Sequence, residues 1–147
     1  MRGAEKQLVN EMKLKLPSHS VNESAARAMV AAFCAQSDPK TGELADIKCA
    51  VSEAVTNCIV HAYREEVGEI TIEVKLCEGR LVCIDIRDRG CGIENVKQAR
   101  EPLFTTDAAG ERSGMGFTVM ESFCDELRVS SRKDRGTTVT LLKRLHK

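Results

Sequence analysis

Ser52-Glu53-Ala54-Val55-Thr56-Asn57-Cys58-Ile59-Val60-His61-Ala62-Tyr63 is the stretch whose reading decides the fold. As a helix it places Glu53, Asn57 and His61 on one polar stripe, each a turn from the next. Leu44, Ile47, Val51, Ala54, Val55, Cys58, Ile59 and Ala62 cover most of the remaining surface. A helix this apolar packs inside the molecule. A carboxylate and a carboxamide on a buried helix need partners, supplied by the protein or by a ligand, so chemistry is expected along this stripe. The same periodicity carries the helix from about Glu43 to Arg64.

Toward the N-terminus, residues 1–10 are polar and unpatterned and read as a loose end. Met12, Leu14 and Leu16 then alternate with Lys13 and Lys15 as far as Pro17, the pattern of a short edge strand with one wet face. Such an edge offers a second copy of the chain a pairing surface. From Ser20 onward, Val21, Ala25, Ala28, Met29, Ala32 and Phe33 follow helical spacing, which puts Asn22, Glu23 and Arg27 on the other face. That helix stops at the breakers Asp38-Pro39-Lys40-Thr41-Gly42.

Toward the C-terminus, Ile70, Ile72, Val74 and Leu76 alternate with charged residues. After Glu78-Gly79-Arg80, the residues Val82, Ile84 and Ile86 mark the inward side of a second strand, completing a hairpin. The strand ends in Asp88-Arg89-Gly90-Cys91-Gly92-Ile93, where an acid followed by two alternate glycines lets a flat ligand approach the backbone. A short helix from Glu94 to about Arg100 precedes Pro102-Leu103-Phe104-Thr105-Thr106 and an unpatterned loop through Ser113. Gly114-Met115-Gly116 opens a last helix, and a hairpin of Leu127–Val129 with Thr137–Leu142 closes the chain. The order of elements predicts an α+β fold: a two-layer α/β sandwich with a mixed, mostly antiparallel sheet and its helices on one face, in a single domain over 1–147.

Composition narrows the function classes. The 22 basic and 22 acidic residues cancel, which removes the electrostatic case for nucleic acid or an anionic membrane as main partner. With aromatic residues at 3% and no Trp, a base-stacking platform is hard to build. The seven cysteines form no C-x-x-C pair and read as reduced thiols of a cytoplasmic protein rather than a disulfide or zinc framework. No G-x-x-x-x-G-K-[ST] and no G-x-G-x-x-G after a first strand occur, so a Walker or dinucleotide site is not expected.

In combination, the Glu53–Asn57 helix, Asp88-x-Gly90-x-Gly92, Gly114-x-Gly116 and Gly136-Thr137 resemble the Bergerat-type ATP-binding fold of gyrase, Hsp90, sensor histidine kinases and MutL, over about residues 11–144. Ser52-Glu53-Ala54-Val55-Thr56-Asn57, Pro102-Leu103-Phe104-Thr105-Thr106 and Glu111-Arg112-Ser113-Gly114-Met115-Gly116-Phe117 narrow the resemblance to the anti-sigma F family of sporulating bacteria, serine kinases of the anti-sigma type. One departure is Ala62, where related sequences have Gly after the His.

The resemblance implies ATP and Mg²⁺ as cofactors. Asn57 would bind the metal, Asp88 the adenine amino group, and Thr137 the adenine edge through water. Gly90 and Gly92 would give the base and sugar room, while Arg112, Ser113, Gly114, Met115 and Gly116 would close over the phosphates. Glu53 would be the base that takes the proton of a substrate serine, and Arg27 would contact a partner; His61, two turns from Glu53, is left out of the mechanism. The implied partners are a sporulation sigma factor (sigma F), an anti-anti-sigma factor as phosphorylation substrate, and a second copy of the chain as a homodimer. The alternatives are a stress-response anti-sigma serine kinase acting on a different sigma factor, and a module that holds nucleotide without kinase activity.

Overall fold

The computed structural model describes residues 7–63, 66–101 and 116–146. In chain order the elements are β1 (Leu8–Pro17), α1 (Asn22–Cys34), α2 (Thr41–Asn57) continuing as a π turn (Cys58–Ala62), β2 (Glu69–Cys77) and β3 (Leu81–Asp88). They are followed by the short α3 (Val96–Ala99), α4 (Gly116–Phe123), β4 (Glu126–Arg132) and β5 (Gly136–Arg144).

The five strands form one sheet in the order β1-β2-β3-β5-β4. Every pairing is antiparallel, so the parallel pairs that a mixed sheet would contain are absent among the described residues. The reason is the path between β3 and β5: α3, α4 and β4 intervene, and the β4–β5 hairpin brings β5 back against β3 in the opposite sense.

The register explains how the sheet divides into a dry face and a wet one. One row across it reads Met12, Val74, Ile84, Leu141, Leu127, and the next reads Leu14, Ile72, Ile86, Val139, Val129. Side chains alternate faces along a strand, so both rows point the same way. They bury against the helices, where Ile72 and Val74 have no exposure at all. Truncating either to Ala would cost about 2–4 kcal/mol in lost transfer energy and cavity formation. On the opposite face Arg87 donates to Glu73 Oε1 at 3.1 Å, and Thr140 donates to Asp85 Oδ1 at 2.6 Å.

Helix α2 packs between α1 and α4 on the dry face. Ile47, Ala50, Val51, Ala54 and Val55 are buried along it. Its start is held by Glu43, which accepts from the Lys40 backbone N–H at 2.9 Å and from the His146 N–H at 2.7 Å. One carboxylate thus caps the helix and fastens the C-terminal tail to it.

Three sequence readings change. Leu8, Val9 and Asn10 are not loose; they extend β1 past an irregularity to the far end of β2, covering the edge that β2 turns away from β3 at Leu76 and Cys77. Helix α1 is rotated from the expected phase. Ala26, Val30, Ala31 and Cys34 are the buried residues, whereas Val21, Ala28, Met29 and Ala32 face outward. Five alanines spread around the helix carry too little apolar area to fix its phase from sequence. Finally, α-helical geometry ends at Asn57, and the Tyr63 N–H bonds to the Cys58 carbonyl at 3.1 Å in a wider turn.

Candidate functional site

The two apolar rows of the sheet are followed by a third on the same face: Leu16, Ile70, Asp88, Thr137, Ser131. The dry layer turns polar at this row. Above it lies a cavity of about 1010 Å³, lined among others by Asn57, Cys58, Asp88, Gly116, Thr137 and Val139.

Asp88 is buried, at 8% exposure, yet it is held by donors. Its Oδ1 accepts from the Gly90 N–H at 2.9 Å and from the Thr137 N–H at 3.2 Å. Burial raises its carboxyl above the usual range, while the Gly90 N–H, the Cys58 thiol and the Thr137 N–H pull in the other direction. Burial likewise pushes the Cys58 thiol well up, and the adjacent Asp88 charge adds to the effect, so the thiol stays protonated and available as a donor.

The Asp88 loop is clamped from two sides. On one side the π turn offers its carbonyls: Cys91 N–H donates to Ala62 O at 3.1 Å and the Cys91 thiol to His61 O at 3.2 Å. Tyr63, 5% exposed, accepts from Arg89 N–H at 2.6 Å and donates to Glu69 O at 2.8 Å. On the other side the β4–β5 turn closes in, with Asp134 N–H donating to Cys91 O at 2.6 Å and Ile93 N–H to Ser131 Oγ at 2.7 Å.

The two loop glycines answer to this clamp. A Cβ at Gly90 would sit 2.4 Å from Ala62 O, and one at Gly92, where φ is +74°, would sit 1.9 Å from Arg132 O. Both glycines are demanded by the protein's own backbone. Ala62 fits against the loop because the missing side chain is on the Gly90 side of the contact.

At the other end of the cavity, Glu53 and Asn57 meet the first turn of α4. A Cβ on Gly116 would lie 3.3 Å from Asn57 Oδ1 and 3.6 Å from Glu53 Oε1. Glycine therefore leaves a cradle in front of a carboxamide and a carboxylate that are both half-buried. His61 also lines the cavity from the π turn. Arg27 is not part of it; on α1 its guanidinium stands 3.5 Å from Glu23 Oε2. Arg112, Ser113, Gly114 and Met115 lie outside the described residues.

Sequence reasoning missed Ser131, Cys58 and Tyr63 as parts of the site. Ser131 was findable, because Leu127 and Val129 continue to it by strand alternation on the inward face. Cys58 and Tyr63 act through partners distant in sequence and carried no local signal.

A cavity set between an antiparallel sheet and a polar helix stripe has a counterpart in a defined class: residues 16–143 match the model of the histidine kinase-like ATPase domain. In solved structures the fold is shared with the RsbU and RsbW domains of Rv1364c from Mycobacterium tuberculosis (TM-score 0.68, 22% identity, 93% of this chain and 32% of that one). It is shared also with the mycobacterial sensor histidine kinase MprB (TM-score 0.57, 13% identity, 92% of this chain and all of that one). Sequence relatives are more specific. The chain is 54% identical over 134 residues to the anti-sigma F factor of Caldanaerobacter subterraneus subsp. tengcongensis, covering 91% of this chain and 93% of that protein. It is 53% identical over 138 residues to the anti-sigma F factor of Anoxybacillus flavithermus, covering 94% of each. The chain therefore belongs to the anti-sigma F factors within the histidine kinase-like ATPases.

Proposed function

We propose that this cavity binds ATP with Mg²⁺, that the protein transfers the γ-phosphoryl group to a serine of an anti-anti-sigma factor, and that it binds and inhibits sigma F. One observation carries the catalytic part: a single cavity joins a base-sized polar end, Asp88 and Thr137, to Asn57 and the glycine cradle at Gly116, against which Glu53 rests. Family membership supports the nucleotide, and the relatives' name supports the sigma factor.

The residues suit the chemistry. Among the described residues no group of three or more His, Cys, Asp or Glu could hold a metal, so no all-protein cage competes for one. Mg²⁺ prefers oxygen ligands and keeps several waters, so Asn57 Oδ1 with phosphate oxygens is a fitting set, and the ion would neutralise charge on the phosphates. Asp88 accepts from the adenine amino group. Glu53, one helical turn from Asn57, takes the proton as the serine oxygen bonds to phosphorus and the bond to the ADP oxygen breaks; a base so placed contributes roughly 10²- to 10⁴-fold in rate. Arg27, with 41% of its side chain exposed, contacts a partner protein from α1. The β1 edge, with Val9 67% exposed, pairs with a second copy.

The test is Glu53→Gln with radiolabelled ATP and the cognate anti-anti-sigma protein. The wild type yields phosphoserine, and the variant binds ATP but does not transfer. A variant that transfers at the normal rate removes Glu53 as the base, and a wild type without phosphoserine leaves a module that only holds nucleotide.

A further inference from the structure

Three ion pairs lie on the outer face of the sheet, away from the helices. Lys15 stands 4.0 Å from Glu69, Arg87 3.1 Å from Glu73 and Arg128 2.5 Å from Glu126. At the corner where β3 and β4 end, this matching stops. Arg89, Arg132, Lys133 and Arg135 are all exposed there, and among the described residues no ion pair engages any of them.

The fold brings these four cations together from two distant segments. Side chains alternate along a strand, so Arg128, Ser130 and Arg132 share the outer face of β4, and Arg89 follows Arg87 by two residues at the end of β3. Arg132 pairs with Gly136, and a Cβ on Gly136 would lie 2.8 Å from Arg89 Cα. The glycine thus sits between the two arginines without a side chain to separate them, and at ordinary strand spacing their backbones are about 10 Å apart. Lys133 and Arg135 belong to the adjoining turn, which is fixed by Arg135 N–H donating to Arg132 O at 3.0 Å and Asp134 N–H to Cys91 O at 2.6 Å. The neighbouring acids are Asp134 in the turn itself and Glu69, whose carbonyl shares the Tyr63 hydroxyl with Arg89 N–H but whose carboxylate is beside Lys15. In a chain whose charges cancel, this corner is locally positive.

We propose that Arg89, Arg132, Lys133 and Arg135 form a docking surface for an acidic segment of a partner protein. A guanidinium holds a carboxylate through two parallel hydrogen bonds, and unpaired, exposed arginines are free to do so. The extent of the patch favours a short peptide segment over a nucleic acid. A nucleic-acid backbone repeats its charge along a track, whereas here the positive surface is bounded by the Lys15–Glu69, Arg87–Glu73 and Arg128–Glu126 pairs. Aromatic residues on which bases could stack are scarce in the chain as a whole. The inference does not depend on what the cavity holds.

The test is titration of the isotope-labelled full chain with a polyglutamate peptide at low and at physiological ionic strength, read from backbone amide shifts. The amides of Arg89, Arg132, Lys133, Arg135 and Gly136 move, and move less as salt screens the charges. Lys13 and Lys75, which lie opposite Glu73 and Glu11 in the same sheet, stay in place. Arg132→Gln combined with Arg135→Gln weakens the peptide roughly tenfold, the scale of two exposed charge pairs, and leaves the melting transition where it was. Shifts that include Lys13 and Lys75 equally, no shifts at low salt, or a folded variant that binds as the wild type does would each overturn the proposal. If the variant does not fold, the wild-type shift map decides alone. A single-stranded oligonucleotide of equal charge that moves the same amides at lower concentration gives the patch to nucleic acid and overturns the assignment to a protein.

Discussion

Removing a single oxygen, in Tyr63→Phe, tests whether the clamp on the Asp88 loop works as described. The phenol uses both of its hydrogen-bonding capacities, accepting from Arg89 N–H at 2.6 Å and donating to Glu69 O at 2.8 Å. Two part-buried hydrogen bonds are lost at a net worth of about 1 kcal/mol each. Tyr63 is only 5% exposed, and the space of one hydroxyl is too small to seat a water with its own partners. The expected loss is therefore about 2 kcal/mol, equivalent for a chain of this size to a fall in Tm of roughly 5–8 °C. Urea unfolding of the nucleotide-free protein measures it. Because Arg89 lies between Asp88 and Gly90, ADP affinity should fall in the same variant beyond any effect of unfolding. A loss below about 0.5 kcal/mol, the range of inconsequential surface changes, would refute the reasoning.

Two further outcomes follow from burial. Asp88→Asn retains an oxygen to accept from the Gly90 and Thr137 N–H groups and removes a charge that burial disfavours. An acid whose pKa is raised on folding loses stability as pH rises from its unfolded to its folded value and carries that penalty at all higher pH. At pH 7 the variant should therefore be at least as stable as the wild type, with the advantage vanishing below the ordinary carboxylate range, while ADP binding is lost; a less stable variant at pH 7 contradicts this. Among the thiols, Cys49 and Cys91 are exposed, whereas burial pushes Cys34 up to about 12 and Cys83 and Cys124 up to about 11. A disulfide reagent at neutral pH should label Cys49 and Cys91 first, and ADP should protect Cys91, which lines the cavity, but not Cys49. Cys91 labelling that is indifferent to ADP would place the nucleotide elsewhere.

Legibility in the sequence followed the physics of each element. The alternation in β2 and β3 could be read because large branched residues, Ile70 to Ile86, repeat at a period of two with charges between them. Helix α2 was readable for a similar reason: Ile47, Val51 and Val55 are large and sit on one side. Helix α1 was not, since alanine marks no face. The π turn left no trace either, because Cys58–Ala62 has the composition of ordinary helix and the wider turn answers to its contacts with Cys91 and Tyr63. Of the site, Glu53, Asn57, Asp88 and Thr137 were named from motifs; Asn57, Asp88 and Thr137 line one cavity, while Glu53 lies beside Gly116 at its edge. The groups that orient them act over long separations, as Ser131 does on Ile93 across 38 residues, and no local pattern records that.

The antiparallel pairing of β3 with β5 also sets an order of events. The β2–β3 and β4–β5 hairpins close short loops, but Asp88 and Thr137 are 49 residues apart and meet only after the connection through α3 and α4 has closed. Closing that long loop costs more entropy than either hairpin, so it comes late in folding. On a ribosome the floor of the cavity cannot exist until β5 has emerged, which leaves the nascent chain unable to hold nucleotide there before that point.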